Sequence, residues 1–156
     1  MKIAPATDED IPQMVALIEA RREILAAAEP VFWARGENTV GLTQAFFGYL
    51  IQSEETIALC AYEGTTMQGF LIALKQAVPP AYTPPGDTYL IDDFALADEA
   101  LWPSVGVALM QAAETVAKAN GAGQLIAVSA MVEQTRSKTY KADGFNPVSQ
   151  WWHKPL

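Results

Sequence analysis

The chain has 156 residues, 51% of them hydrophobic, and a formal net charge of −8. This length suits one domain over residues 1–156 with a sizeable core, and the acidic balance disfavours nucleic acid and anionic membranes as partners. No apolar run approaches the roughly 18 residues that a membrane span needs, and the acidic start is unlike a signal peptide. Cys60 is the only cysteine and His153 the only histidine, which disfavours a disulfide or a metal site. We therefore expect a cytoplasmic protein.

The first half of the chain predicts a strand, two helices and a hairpin. MKIAPA is typical of a short strand, and apolar residues at helical spacing predict an amphipathic helix over 9–28. The irregular stretch 29–38 separates it from a second helix at about 40–53. TIALCAY, 56–62, and MQGFLIAL, 67–74, then predict two strands around the polar turn EGTT.

The second half predicts a mixed sheet with further helices. The Pro-rich stretch 78–88 predicts a loop at a functional edge. YLIDDFAL, 89–96, predicts a strand, and a 4-3-4-3 apolar spacing predicts a helix from about 104 to 119 that ends at NGAG. QLIAVSA predicts a buried strand, VEQTRSKTYKAD a short helix ended by Gly144, and FNPVSQWWHK a last strand. The predicted order is β-α-α-β-β-β-α-β-α-β.

Three stretches resemble the GNAT N-acetyltransferase superfamily, which transfers an acyl group from acetyl-CoA to an amine. IAPATDEDIPQMVALI is similar to the first strand and helix of that family. IDDFALADEALWPSVGVALM can be laid without gaps on its strand-loop-helix pattern, whose core is Arg/Gln-x-x-Gly-x-Gly/Ala. TYKADGF resembles its closing signature, a Tyr four residues before Gly-Phe. The resemblance implies the GNAT-like α/β fold with a mixed sheet over the whole chain, and IDDFAL and the Tyr140 region look most like the spermidine/diamine acetyltransferase branch.

The loop before the third helix falls where the family holds the CoA pyrophosphate. A helix N-terminus binds phosphates through unpaired N–H groups and a partial positive charge. Here Leu101 stands in place of Arg/Gln and Ser104 in place of the first Gly, while Pro103 lacks an N–H. Glu133 stands where relatives often carry an Asn that touches CoA. The resemblance places acetyl-CoA, as cosubstrate, at Phe94, Ala95, Leu96, Trp102, Ser104, Val105, Gly106 and Val107.

This loop leaves two interpretations open. The amides of Ser104 to Val107 can still bind CoA, or the stretch is the capped start of a core helix on a fold that no longer binds the cofactor.

Tyr140 is the candidate general acid that the TYKADGF resemblance implies. A phenol with a pKa near 10 is protonated at neutral pH and can give its proton to the CoA sulfur. The alternative is an aromatic residue that packs on a short helix. The oxyanion would be stabilised by a backbone N–H near residues 94–96, where the strands of the fold part.

Asp92 and Asp93 lie on a strand whose other residues have the pattern of a buried strand. Burying a carboxylate is costly, so its presence there calls for a structural or functional explanation. Alternation places Asp92 on one face with Leu90 and Phe94 and places Asp93 on the other. The resemblance implies that Asp92 relays the amine proton through water. The alternative is that either Asp caps nearby backbone or faces solvent.

Other features have weaker functional interpretations. Arg21 and Arg22 could meet a substrate carboxylate, although solvated helix charges are the commoner case. Phe32 and Trp33 lie between the first two helices, where the family recognises its acceptor, and core packing is the alternative. Near the end of the chain, packing or a dimer edge is expected in preference to catalysis for Trp151, Trp152 and His153.

The resemblance implies an acetyl-CoA-dependent N-acetyltransferase that acts on a small primary amine, with Tyr140 and Asp92 as catalytic residues and a homodimer as one option. The acidic surface could attract amines or could serve solubility alone. A catalytically silent GNAT-like module that binds a ligand or partner is the alternative favoured by Leu101, Pro103 and Glu133. A longer acyl-CoA is a third option.

Overall fold

A computed structural model describes residues 1–156 and contains one five-stranded mixed sheet. Neighbouring strands follow chain order, the first three pairings are antiparallel, and β4 and β5 are parallel. No helix has both the length and the apolar character that a bilayer span requires. The strands are β1 (Lys2–Pro5), β2 (Thr56–Glu63), β3 (Thr66–Gln76), β4 (Asp87–Leu96) and β5 (Ala122–Ala127), and the helices are α1 (Ile11–Ala28), α2 (Thr39–Ile51), α3 (Val107–Ala119) and α4 (Gln134–Ala142).

Helices cover both faces of this sheet, so the core has two halves. Along β3, Phe70 and Ile72 face the half formed with α1 and α2, whereas Leu71 and Ala73 face the half formed with α3 and α4. Each half excludes water from a contiguous set of apolar side chains, which is the main favourable contribution to folding. The predicted α/β class and mixed sheet are confirmed.

A β-bulge in β4 changes which faces its side chains occupy. Asp93 pairs with Ile72 and Ile91 pairs with Ala73, so Asp92 has no partner on β3. The extra residue breaks the alternation, and Phe94 therefore lies in the same core half as Ile91. The predicted shared face of Asp92, Leu90 and Phe94 is wrong for this reason.

The predicted last strand is absent, because residues 145–156 form no regular structure. Val148, Trp151 and Trp152 are 88%, 84% and 89% exposed. Pro147 within the segment cannot donate to a ladder, and the outer edge of β5 has no neighbouring strand. As a result β5 is an edge strand with Ile126 exposed, and the prediction of a buried strand there is also wrong.

The start of α3 is more irregular than the sequence pattern predicts. A 3-10 turn (Glu99–Leu101) leads into a π-helical turn (Trp102–Gly106), and α3 itself begins at Val107 in place of about 104. The Val107 N–H donates to the carbonyls of Ser104 and Trp102. This wide turn carries the predicted cofactor residues and rotates Trp102 into the core, where it is 7% exposed.

Candidate active site

The two parallel strands part in the middle of the molecule and leave one backbone edge open. Pairing between β4 and β5 extends only to Ile91 and Ala127. The Ala97 N–H donates to the Gln68 carbonyl on the β3 side, so alternation turns the N–H and C=O groups of Phe94 and Leu96 toward the open side. These amides lie where the sequence predicts the oxyanion to be stabilised.

A cavity of about 220 Å³ adjoins this open edge. Of the predicted cofactor residues it gathers Ala95, Leu96 and Trp102, whereas Phe94 and residues 104–107 do not line it. Charged side chains also line the cavity. They come from α1, from the region of α4 and from the residues after β4, and they are Arg21, Glu133, Arg136, Asp98 and Glu99. A wider depression of about 560 Å³ lies at the other end of β4, beside the 78–88 loop, and contains none of the predicted site residues.

Arg136 is the most deeply buried charged side chain beside the open edge, with 2% of its surface exposed. Its Nη2 donates to the Phe94 carbonyl, and its Nη1 lies 3.0 Å from Glu133 Oε1. The guanidinium carbon lies 4.5 Å from the Trp102 ring centroid, which is cation–π geometry. Its Nε has no hydrogen-bond partner. Arg136 is not among the site residues that the sequence predicts, although it precedes Tyr140 by one helical turn.

Tyr140 shares the buried face of α4 with Arg136, four residues earlier. Its ring lies 6.0 Å from that of Trp102 in an edge-on arrangement. The hydroxyl is buried and has no hydrogen-bond partner. Burial raises the pKa of Tyr140, and the charge of Arg136 works against that effect, so the phenol is protonated at neutral pH. Tyr140 thus offers a free donor in the packing around Trp102, although it does not itself line the cavity at the open edge.

Glu133 and Arg21 form a second, partly buried feature of the site. Arg21 donates to both Glu133 oxygens, from Nε at 2.6 Å and from Nη2 at 3.0 Å. The Ala130 N–H also donates to Glu133, at 2.7 Å. Burial raises the pKa of Glu133, but the Arg21 hydrogen bonds and the charge of Arg136 outweigh it and hold that pKa below its usual value. Arg21 is therefore held in an ion pair with Glu133 and is not a solvated charge on the surface of α1.

The two aspartates of the β4 bulge lie in different environments. Asp92 is exposed. Asp93 is turned toward α1, with 13% of its side chain exposed and its Oδ1 3.9 Å from Arg22 Nη2. Burial and the charge of Asp92 raise the pKa of Asp93 to about 6, against attraction from Arg22. Asp93 therefore has the pKa of a group that can accept a proton near neutral pH.

The turn before α3 is poorly suited to bind the phosphates of a cofactor. Asp98 Oδ1 accepts from the Ala100 N–H at 2.8 Å, so a carboxylate already caps this end. The Ser104 hydroxyl donates to the Leu101 carbonyl at 3.3 Å. A Cβ on Gly106 would lie 2.8 Å from the Trp102 ring, so packing of Trp102 explains this glycine. No Lys or Arg occurs between residues 98 and 107.

The aromatic residues between α1 and α2 meet the end of the chain. The Phe32 ring lies 4.7 Å from Trp33, 6.5 Å from Trp151 and 5.2 Å from His153. These contacts are at the surface, since Phe32 is 39% exposed. None of the four side chains lines the cavity at the open edge.

No family model and no curated protein matches the sequence, but solved structures match its fold. The BH1408 protein from Bacillus halodurans, solved as a tetramutant, gives a TM-score of 0.85 at 17% identity over 100% of both chains. A predicted acetyltransferase from Clostridium acetobutylicum, solved with acetyl-CoA, gives 0.75 at 17% over 99% of this chain and 96% of that one. The aminoglycoside 6'-N-acetyltransferase AAC(6')-IG from Acinetobacter haemolyticus gives 0.74 at 14% over 100% and 99%. The chain has the mixed α/β fold of GNAT acetyltransferases.

Proposed function

We propose that this chain is an acetyl-CoA-dependent N-acetyltransferase that acts on a small primary amine by direct transfer. The observation that carries the proposal is the Tyr140 hydroxyl, which is buried without a partner. It lies on the same buried face of α4 as Arg136, which reaches the open edge at the Phe94 carbonyl. A buried hydroxyl without a partner costs stability, so a reacting group is the partner we assign to it. The solved structures of this fold include acetyltransferases, one of them with acetyl-CoA.

The residues at the open edge fit the reacting end of acetyl-CoA, which supplies an acetyl group activated as a thioester. Ala95, Leu96 and Trp102 line the cavity that would hold this end, and the outward amides of Phe94 and Leu96 offer hydrogen bonds to it. Ser104, Val105 and Gly106 remain predicted phosphate contacts, whereas the N–H of Val107, also predicted, already donates to carbonyls of the turn. Because the Asp98 carboxylate caps the residues that lead into that turn and residues 98–107 include no Lys or Arg, we expect weak binding of the phosphates.

The acid and the base of the proposed reaction lie on opposite sides of the sheet. Tyr140 belongs to the core half with α3 and α4, and Asp93 faces α1 on the other side. The amine would approach from the Asp93 side and lose its proton to a carboxylate of the bulge. Its nitrogen would form a bond to the thioester carbonyl carbon, a β4 N–H would stabilise the charge on the carbonyl oxygen, and the C–S bond would then break. The Tyr140 hydroxyl would protonate the departing sulfur. Asp92 stays a predicted relay, and Asp93 is the carboxylate that burial and pKa favour.

A specific observation favours a second candidate, a catalytically silent module of the same fold. Arg136 already occupies the Phe94 carbonyl, and Glu133, which stands where relatives often carry an Asn, binds Arg21. These contacts already bind polar groups between the parted ends of β4 and β5 to side chains of the same chain. Acetyl-CoA would then have no binding site there, and the Tyr140 hydroxyl would have no catalytic role.

The test is CoA release by the purified chain with acetyl-CoA and a panel of small primary amines, compared with Tyr140→Phe. Loss of the acid should lower kcat by about 10²- to 10⁴-fold and leave the fold intact, because only an unpaired hydroxyl is removed. Tyr82→Phe is the matched control, since Tyr82 is 70% exposed. Unchanged turnover in Tyr140→Phe would refute the acid. Absence of transfer, with no calorimetric binding of acetyl-CoA at millimolar concentration, would favour the silent module.

A further inference from the structure

Arg136 keeps one hydrogen-bond donor that the folded chain does not use. Two of its nitrogens contact the Phe94 carbonyl and Glu133, but its Nε–H is buried and has no acceptor. A buried donor without an acceptor is costly. Because Arg136 lines the cavity at the open edge, a group that enters this cavity is the acceptor that the arrangement allows.

The charges around the cavity favour an anionic group there. Arg136 and Arg21 share a single carboxylate, Glu133, and only 2% and 18% of the two arginine side chains are exposed. One of these two positive charges is therefore unmatched where water screens it little. Asp98 and Glu99 also line the cavity, but they are exposed, so their charges are solvated.

The other walls of the cavity are mostly apolar. They include side chains of α1 and one that precedes α4, namely Leu17, Ile24, Leu25 and Val132. The cavity volume of about 220 Å³ is smaller than the roughly 300–1,000 Å³ of sites for drug-sized ligands. The cavity therefore suits a ligand the size of an amino acid, with an aliphatic side chain and one carboxylate.

We propose that the amine acceptor is an aliphatic amino acid whose carboxylate accepts a hydrogen bond from Arg136 Nε in this cavity. This inference rests on the proposed function and names its substrate class. Although burial raises the pKa of Asp93, the charges of Arg21 and Arg136 oppose that effect, so the cavity lies within electrostatic reach of the proposed base. A zwitterion fits this arrangement, because its amino group would lie toward a carboxylate and its carboxylate against a guanidinium.

The test is calorimetric titration of the purified chain at pH 7, without acetyl-CoA, with three probes of similar shape. Leucine carries both charged groups, isoamylamine lacks the carboxylate, and isocaproate lacks the amine. We expect leucine to bind about 10- to 100-fold more tightly than isoamylamine, which is the usual strength of one hydrogen bond to a charged group. Leucine should also bind more tightly than isocaproate.

Arg136→Met should remove the advantage of leucine over isoamylamine. Methionine is unbranched and Arg21 still pairs with Glu133, so this variant leaves no buried carboxylate unpaired. Arg136→Lys, which keeps the charge but has no Nε, should also reduce the advantage and repeats the test if Arg136→Met does not fold. The matched control is Arg35→Gln, which removes an arginine that pairs with Glu19 outside the cavity and should leave leucine binding unchanged.

Equal binding of leucine and isoamylamine would overturn the proposal, as would an advantage of leucine that survives both Arg136 variants or that Arg35→Gln removes as well. Isocaproate that binds as tightly as leucine would assign the cavity to a carboxylic acid and would also refute an amino-acid acceptor. Failure of the proposed function is a separate result, because these titrations do not involve acetyl-CoA. A chain that binds leucine through Arg136 but releases no CoA would refute acetyl transfer and keep the amino-acid site.

Discussion

Asp93 is a carboxylate that the fold holds away from water without a close cation. Its nearest guanidinium atom, on Arg22, is 3.9 Å away. Burial and the charge of Asp92 raise the pKa of Asp93 from its usual 3.8 to about 6. Because the folded pKa exceeds the unfolded one, stability falls as the pH rises from 3.8 to about 6, and at neutral pH the ionised group costs about 3 kcal/mol.

Asp93→Asn should therefore stabilise the protein at pH 7 while it removes the proposed base. We expect the free energy of unfolding to rise by about 1–3 kcal/mol at pH 7 and the two proteins to converge below pH 3.8, where Asp93 is protonated in both states. Urea unfolding at the two pH values measures this difference, and Asp92→Asn, at an exposed position, should change it less. A destabilised Asp93→Asn at pH 7 would contradict the burial cost, and full acetyl transfer would exclude Asp93 as the base.

Among the elements, the turn before α3 is the one that we propose to contact the phosphates of CoA. Trp102 fills the inside of this turn, and Gly106 provides the space for its ring. Asp98 caps the turn through the Ala100 N–H. This cap uses a different amide from those at 104–106 that are proposed to bind phosphate. The Asp98 charge would still repel a phosphate bound nearby.

Asp98→Asn separates these two effects, because Asn caps a helix as well as Asp does. We expect unchanged thermal stability and a dissociation constant for CoA that is about two- to fivefold lower at low salt, which is the usual strength of one charge at a helix end. Calorimetric titration measures it, and the gain should shrink as added salt screens the charge. Asp8→Asn, in the turn before α1, is the control. An unchanged dissociation constant for CoA in Asp98→Asn would show that the phosphates do not approach this turn.

The elements that sequence predicts well are those whose signal is local. Helical spacing places α1 and α2 within two residues of their observed ends, and the EGTT turn places the β2–β3 hairpin. The bulge at Asp92 is different, since counting alternate residues assumes a ladder without insertions. A last strand needs a partner edge as well as apolar residues, and no pattern within 145–156 shows whether one is available.

In the candidate site, too, features with a local sequence signal differ from those that depend on distant contacts. Tyr140 stays a prediction from the TYKADGF resemblance, and the parting of the strands near Phe94 is expected from the resemblance to the family fold. Arg136 and the Arg21–Glu133 pair depend on contacts between residues up to 112 positions apart, which no local spacing reveals. Only the folded chain brings these charges together.

At the scale of the whole molecule, Glu133 connects the two layers of helices around the open end of the sheet. It precedes α4 and accepts hydrogen bonds from Arg21 of α1, which lies on the other face. It also lies 3.0 Å from Arg136, which in turn holds the Phe94 carbonyl of β4. One carboxylate thus balances two guanidinium groups where β4 and β5 do not pair. Because burial makes an unbalanced charge costly, this contact supports the fold where backbone pairing is lost.

Glu133→Gln should lower the free energy of unfolding by about 3–5 kcal/mol, because it leaves Arg21 and the buried Arg136 without a carboxylate. Glu23→Gln is the control: Glu23 pairs with Arg35 but is 72% exposed, so it should change stability by less than about 1 kcal/mol. Urea unfolding at pH 7 measures both.

The folded pKa of Glu133 lies below its usual 4.5. The contribution of ionised Glu133 to stability is therefore fully present above pH 4.5 and is lost as the pH falls through the folded pKa. The difference between the unaltered chain and Glu133→Gln should therefore narrow in acid, and equal losses from the two variants at pH 7 would show that Glu133 does not connect the layers.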